Sequence, residues 1–325
     1  MLKAGMAKAD ITPEKGLELA GYPHYPRNNT GAHDPLYAAC MYLENDSEAV
    51  AMVTLDLLFF SKKHTAEVRR RLEKEHILCG DHVMISCSHT HSGPWASGRL
   101  DIESLEAGKQ QPKEYVETLI EKTVSIVKEA KASAFPAEFT SGIAVCGAES
   151  GVGGNRRLPG GPHDPYVSVM AVRDEEKTVR GIFVNYTLHP SFIHEWSEVC
   201  TADYPGYLKL QLEPNAITGF AQGASGNQSS RYYRKGESFD EAERVGRVLG
   251  KAAHTVIEKA EWVDTLPIRT AHSELPLELR NFGTEEELEQ KVAETKTAYE
   301  DLYARYGTST NREEYYLWQN ANLKM

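Results

Sequence analysis

GAHDPLYAACMYLENDSEAVAMVTLDL, residues 31–57, has a counterpart further along the chain in GPHDPYVSVMAVRDEEKTVRGIFVNYTL, residues 161–188. Both run His-Asp-Pro, apolar strand, charged turn, apolar strand, and each reads as a β-hairpin. A hairpin makes at least part of a sheet antiparallel. The tripeptide alone is common enough to arise twice by chance, but the matching hairpin after each copy favours related half-units. Further strands are expected in HVMISCSH (82–89) and AITGFAQG (216–223). Helical periodicity marks KHTAEVRRRLEKEH (63–76), EYVETLIEKTVSIVKEAKAS (114–133), SFDEAERVGRVLGKAAHTVIEKA (238–260) and TEEELEQKVAETKTAYEDLYARYG (284–307). The expectation is an α/β (α+β) fold of mixed, partly antiparallel β-sheets flanked by helices, with α/β/β/α layering as one arrangement open to it. No linker or low-complexity tract interrupts the chain. A shift toward charged helix near residue 262 divides it into an α/β domain, 1–262, and a strand-and-helix extension, 263–325, expected to pack on the same domain.

The chain has 325 residues, 41% hydrophobic and 26% charged, with a net charge of −11. A protein that neutralises phosphates needs a basic surface, so this balance argues against nucleic-acid binding. The longest apolar run, AVAMVTLDLLFF (49–60), falls short of the roughly 20 residues of a membrane helix and carries Asp56. No transmembrane segment is expected. The start, MLKAGMAKADITP, lacks the apolar stretch of a secretory signal. Five cysteines, Cys40, Cys79, Cys87, Cys146 and Cys200, are scattered and never form CxxC, which fits reduced thiols in the cytoplasm.

Several of the apolar runs end in groups that do not belong in a core. SCSHTHSGPW (86–95) puts His89 and His91 two places apart after a strand, and Gly-Pro then turns the chain. If extension persisted, the two imidazoles would share one face, roughly 6 to 7 Å apart at Cα. His189 closes GIFVNYTLHP, and Asp56 lies within AVAMVTLDLLFF, where an ionised carboxylate is costly unless paired or bound. Zinc takes neutral imidazole and carboxylate ligands and keeps an open position in catalytic sites. The spacing alone is no signature like HExxH, and a histidine at a strand end is more often hydrogen-bonded than ligating. His33 and His163 open the two hairpins and read as caps of their turns, His33 with the better claim of the two to a place in the site.

Taken together, SHTHSGP (88–94), AGMAKADITP (4–13), GGNRRLP (153–159), NYTLHPSF (185–192) with TADYPGY (201–207), and the GASGNQSS loop (223–230) resemble the neutral (non-lysosomal) ceramidase family. The resemblance runs from Gly5 to about Gly250. It implies a zinc-dependent amidase that cleaves the N-acyl bond of ceramide or a related N-acyl, lipid-like substrate. It also implies His89 and His189 as zinc ligands, His91 beside the metal as acid/base or substrate contact, and Arg156 lining the substrate site. Ser229 falls where the family has the serine of a Gly-Asp-x-Ser-Pro loop. Here that loop reads Gly226-Asn227-Gln228-Ser229-Ser230, without the acid and without the proline.

The family also draws a glutamate and a tyrosine ligand from a segment well downstream, and nothing in this chain matches them. The expectation is a shortened chain whose last residues, Tyr315, Tyr316, Leu317, Trp318 and Leu323, pack against something further on or against another copy. Otherwise Asp56 or Asp203 completes the site. Two rivals stand beside the amidase. One is a serine hydrolase built on the QGASGNQSS loop, although Ser225 lacks the closing glycine of GxSxG. The other is a metal-binding homologue without turnover.

Overall fold

The computed structural model describes residues 1–22, 25, 27–96, 113–212, 216–278, 281 and 283–306. Contacts divide the chain into two units, Met1–Ala271 and His272–Met325. The first unit begins with β1 (Lys3–Asp10), the hairpin β2 (Tyr37–Glu44) and β3 (Ala49–Leu55), helix α1 (Lys62–Lys74), β4 (Val83–Cys87) and helix α2 (Lys113–Ala132). The same order then repeats. It runs β5 (Glu138–Val145), the hairpin β6 (Tyr166–Arg173) and β7 (Val179–Tyr186), α3 (Tyr204–Leu212), β8 (Ile217–Gln222) and α4 (Phe239–Glu258).

Pairing makes the repetition explicit. One sheet is ordered β4-β3-β2-β1, with the two-residue segment Phe135–Pro136 beyond β1, and the other β8-β7-β6-β5. In the first, β1–β2 and β2–β3 are antiparallel and β3–β4 parallel. In the second, β5–β6 and β6–β7 are antiparallel and β7–β8 parallel. The two hairpins read from the echoed sequences therefore sit at equivalent places in two half-units of one topology.

Alternation along β2 shows how the layers arise. Ala38, Cys40 and Tyr42 face a core shared with Val68 and Leu72 of α1 and with Leu119, Ile126 and Val127 of α2. Met41 and Leu43 face the other way, into a cluster with Phe139, Val172 and Phe183 of the second sheet. In the second half, Val167, Val169 and Val184 meet Leu208 of α3 and Val245 and Leu249 of α4. Both sheets are thus buried on both faces, which is why their central strands read as near-continuous apolar runs. The result is an α/β/β/α stack.

Helix ends follow their capping chemistry. Ser61 accepts from the His64 amide at α1, and Ser238 from the Glu241 amide at α4. Three elements were not legible as such. β1 is rich in lysine and alanine, β5 carries Gly142 where it packs on Val256 of α4, and α3 opens Tyr204-Pro205-Gly206. Tertiary packing overrides weak local propensity in each. Past α4, Val263 bridges to Phe139 and Ile268 is buried in the inter-sheet cluster. The second unit contains α5 (Glu285–Tyr306), which begins at a reciprocal Thr284–Glu287 cap. The aromatic terminus, Tyr315 to Leu323, lies outside the described residues.

Candidate metal centre

β4 ends at Cys87, and the histidines that follow are not in extended chain as the spacing suggested. His89 has φ 64, a left-handed conformation rare for a residue with a Cβ. The turn forms because the Ser88 and His89 amides donate to Leu55 and Leu57 carbonyls at the end of β3, at 2.8 and 2.9 Å. The chain then folds onto the other half-unit. The His91 amide donates to Pro190 O at 3.3 Å, Thr90 Oγ1 to Thr201 O at 2.7 Å, and Thr201 N to Ser92 O at 3.1 Å. The loops after β4 and β7 are thereby joined, and His89 and His91 are brought to His189.

Ring centroids of the three histidines are 4.7 to 5.2 Å apart, and one nitrogen of each lies within 4.8 Å of the others. The His89 Nδ1 sits 3.1 Å from Leu58 O, and the His189 Nδ1 3.3 Å from Ser225 O. A backbone carbonyl can only accept, so each Nδ1 carries its proton and each Nε2 offers its lone pair. His91 differs. Its Nε2 is 2.9 Å from His189 Nε2, and its Nδ1 has no hydrogen-bond partner among the described residues.

Burial pushes all three imidazoles below their ordinary pKa, His189 to about 3, with neighbouring histidines and the Arg156 charge adding to the shift in His91 and His189. Neutral imidazoles whose far nitrogens are tied to carbonyls are the donor set zinc takes. His89 and His189 fit that description.

Arg156 lies on a short ribbon in which Gly154–Asn155 pairs with Gln228–Ser229. Its amide donates to Asn227 O at 2.8 Å and its Nε to Gly226 O at 3.1 Å. The ribbon is fixed to the metal-site loop, because the His189 amide donates to Gln228 O at 3.3 Å. Ser229 is buried in the ribbon, and its hydroxyl accepts from the Arg231 amide at 3.2 Å. Ser225 meets His189 through its carbonyl. The two aspartates are held elsewhere. Asp56 lies just past β3, ion-paired with buried Lys209 of α3 and accepting from the Tyr37 amide. Asp203 accepts from the Phe192, Ile193 and Tyr204 amides, fixing the turn that follows His189. Among the described residues only the three histidines form a metal-type group. His33 stacks on Phe239 at 3.8 Å, apart from the cluster.

Three residues with a part in the site had no signal in the sequence. Arg27, 3% exposed, donates to the carbonyls of Ala20, His91 and Ser197, each at 2.8 Å, and so clamps the His91 loop. The Tyr22 ring lies between those of His91 and His194, at 5.3 and 5.4 Å. His194 receives a bond from Arg234 at 2.7 Å. Their burial and their partners lie far along the chain and cannot be read locally.

Gly21 sits against this loop with φ +99, where a Cβ would meet His91 Cβ at 2.5 Å and His91 Cα at 2.6 Å. Gly21→Ala should lower the melting temperature and weaken metal retention, since the backbone strain alone costs roughly 1–3 kcal/mol. Unchanged melting and full metal content would show that the close approach does not hold His91.

The depressed imidazoles set a pH dependence for chelator-treated protein. Unfolded histidines take up protons near pH 6.5 while the buried ones stay neutral. Stability should therefore fall as pH drops below about 6.5, for His189 all the way toward 3, at roughly 1.4 kcal/mol per pH unit for a group that stays neutral when folded. Asp203, raised by burial to about 6, acts oppositely and gains stability as pH falls from 6 toward the ordinary carboxylate value. The His189 shift spans more pH units than that of Asp203, and the other two imidazoles shift the same way as His189, so urea midpoints should decline on acidification. The His189→Gln variant should decline less steeply, and an equally steep profile would contradict the assignment.

Fold and cluster together define a layered α/β protein with a histidine site where the two half-units meet at their strand ends. Residues 2–148 match the family described as neutral/alkaline non-lysosomal ceramidase, N-terminal, and over that stretch the chain is homologous to it. It is 24% identical over 286 residues to the neutral ceramidase of Pseudomonas aeruginosa, covering 76% of this chain and 41% of that protein. The crystal structure of neutral ceramidase from Pseudomonas aeruginosa matches with a TM-score of 0.69 at 21% identity, over 79% of this chain and 45% of that one. A ceramidase complexed with C2 matches with a TM-score of 0.68 at 21% identity, over 79% and 44%. These likenesses establish the fold. The chain spans less than half the length of the relatives it matches.

Proposed function

We propose that this chain is a zinc-dependent amidase that hydrolyses the N-acyl bond of ceramide or a related N-acyl substrate. The observation that carries the reading is the convergence of His89, His91 and His189 from the two half-units, with only His89 and His189 anchored through Nδ1. Those two would hold the metal, which when bound would acidify water and polarise an acyl carbonyl. His91, neutral and without an anchor, would take and return the proton beside them. The Arg156 guanidinium would orient an oxygen of the substrate through its fork of donors. Ser229, buried in the ribbon, would line the wall next to it. Phe59, half exposed with its ring 5.3 Å from that of His89, offers apolar surface to an acyl chain.

Family homology over residues 2–148 supports this reading. Among the described residues, no helix is long and apolar enough to cross a membrane. All five cysteines are free, which suits a reducing, cytoplasmic setting. The test is metal analysis of the purified chain with a mass-spectrometric assay of N-acyl substrates, before and after chelation. Metal-dependent release of fatty acid is the expected result. Bound zinc without hydrolysis of any amide would leave a binding protein, and turnover that survives chelation would overturn the metal reading.

A further inference from the structure

β5 is the last strand of the second sheet. Near its start, Phe139 turns its backbone away from β6 and exchanges both hydrogen bonds with Val263, at 2.8 and 2.9 Å. In an antiparallel ladder that orientation recurs every second residue, so Ser141, Ile143 and Val145 also turn their N–H and C=O groups outward. No backbone group among the described residues pairs with them there. Their side chains follow Phe139 onto the face that meets the first sheet. Phe139 is covered there, whereas Ile143 and Val145 are 63% and 64% exposed. Tyr166, opposite Val145 on β6, is 51% exposed.

In the first half-unit the same corner is built for water. Lys8 and Asp10 of β1 pair with Ala39 and Tyr37 as Ile143 and Val145 pair with Ser168 and Tyr166, and both charged residues are exposed. A charged edge resists pairing with another chain, and an apolar one invites it. Ser141-Gly142-Ile143-Ala144-Val145 has neither charge nor proline. Of the acids that flank it, Glu138 is held by Arg173 and Lys177, and Glu149 accepts from the Gly147 amide.

We propose that β5 pairs with β5 of a second copy of this chain, antiparallel about a two-fold axis at Ile143. The register selects that occupant. With Ile143 on the axis, its outward N–H and C=O meet those of its own counterpart, and Ser141 meets the partner's Val145, so every outward donor finds an acceptor. The axis runs perpendicular to the sheet, which keeps Ile143, Val145 and Tyr166 of both copies on one face as a continuous apolar strip. Two four-stranded sheets thereby become one.

Sedimentation equilibrium over a concentration series should show a monomer–dimer equilibrium. Ile143→Lys sets like charges against each other across the axis and should weaken it at least about tenfold. The exposed side chain makes little other contact, so the circular dichroism spectrum should not change. Hydrogen exchange on the unaltered chain tests the pairing independently. The Ile143 amide should exchange fast in dilute protein and slow at least about tenfold on dimerisation, while the Ala144 amide, which faces β6, stays slow throughout. In a Cys79→Ser background, free of the exposed thiol, Ile143→Cys should give a disulfide-linked dimer on mild oxidation. Hydrogen-bonded residues directly opposite each other lie about 5.5 Å apart at Cα, within disulfide reach. A dimer that ignores Ile143→Lys, or one whose Ile143 amide stays unprotected, overturns the proposal. A monomer at every concentration also overturns it and leaves this edge to a strand of a different kind.

Discussion

On the proposed amidase reading, replacing His189 with alanine is expected to strip the metal from the protein and abolish amide hydrolysis, and His89→Ala should do the same. Each change removes an imidazole whose Nδ1 is fixed by a backbone carbonyl and whose Nε2 faces the cluster. Loss of one strong ligand from a site of few ligands leaves too little to retain the ion, and the resident chemistry goes with it. The expected loss of activity exceeds the roughly 10- to 100-fold that removing even a supporting partner of a ligand causes. His91→Ala separates the roles. With its Nδ1 unanchored, His91 is assigned to proton transfer, so this variant should keep its metal and lose turnover. Elemental analysis of the three variants decides the matter. Full zinc in His89→Ala and His189→Ala would remove both from the ligand set, and loss of zinc in His91→Ala would make it a third ligand.

The second large effect lies away from the chemistry. Lys209→Ala should destabilise the protein by about 3–5 kcal/mol, the usual result of leaving one member of a buried ion pair alone. Lys209 and Asp56 are almost fully buried, with side chains 7% and 4% exposed, and their bond ties α3 of the second half-unit to the end of β3 in the first. Asp56 also accepts from Tyr37 N, so its charge cannot be removed without disturbing the hairpin partner of β3. The apolar pair Asp56→Leu/Lys209→Met should recover part of the loss, because two buried charges also carry a desolvation cost. Denaturant unfolding of the single and double variants measures both. A Lys209→Ala variant as stable as the parent would show that water reaches Asp56.

Asp56 shows where reading from sequence stopped. A carboxylate at the end of an apolar run must be paired or bound, and that much was legible. Whether the partner was a metal or a lysine far along the chain was not, because Lys209 lies on a helix whose Pro-Gly start concealed it. His89 is a similar case. Its place after a strand was legible, but the left-handed turn that aims its ring depends on amide bonds to Leu55 and Leu57 carbonyls, which no local pattern encodes.

The hairpins, the long helices, the mixed sheet and the strand-end histidines are legible in short stretches of the chain. These follow from periodicity and turn chemistry within a few residues, and the echoed His-Asp-Pro hairpins marked the two half-units. Tertiary structure alone decided that the half-units stack sheet on sheet and that their strand-end loops interlock through Pro190, Thr201 and Arg27. Those outcomes rest on long-range hydrogen bonds and burial, and a group's burial depends on what the rest of the chain packs around it.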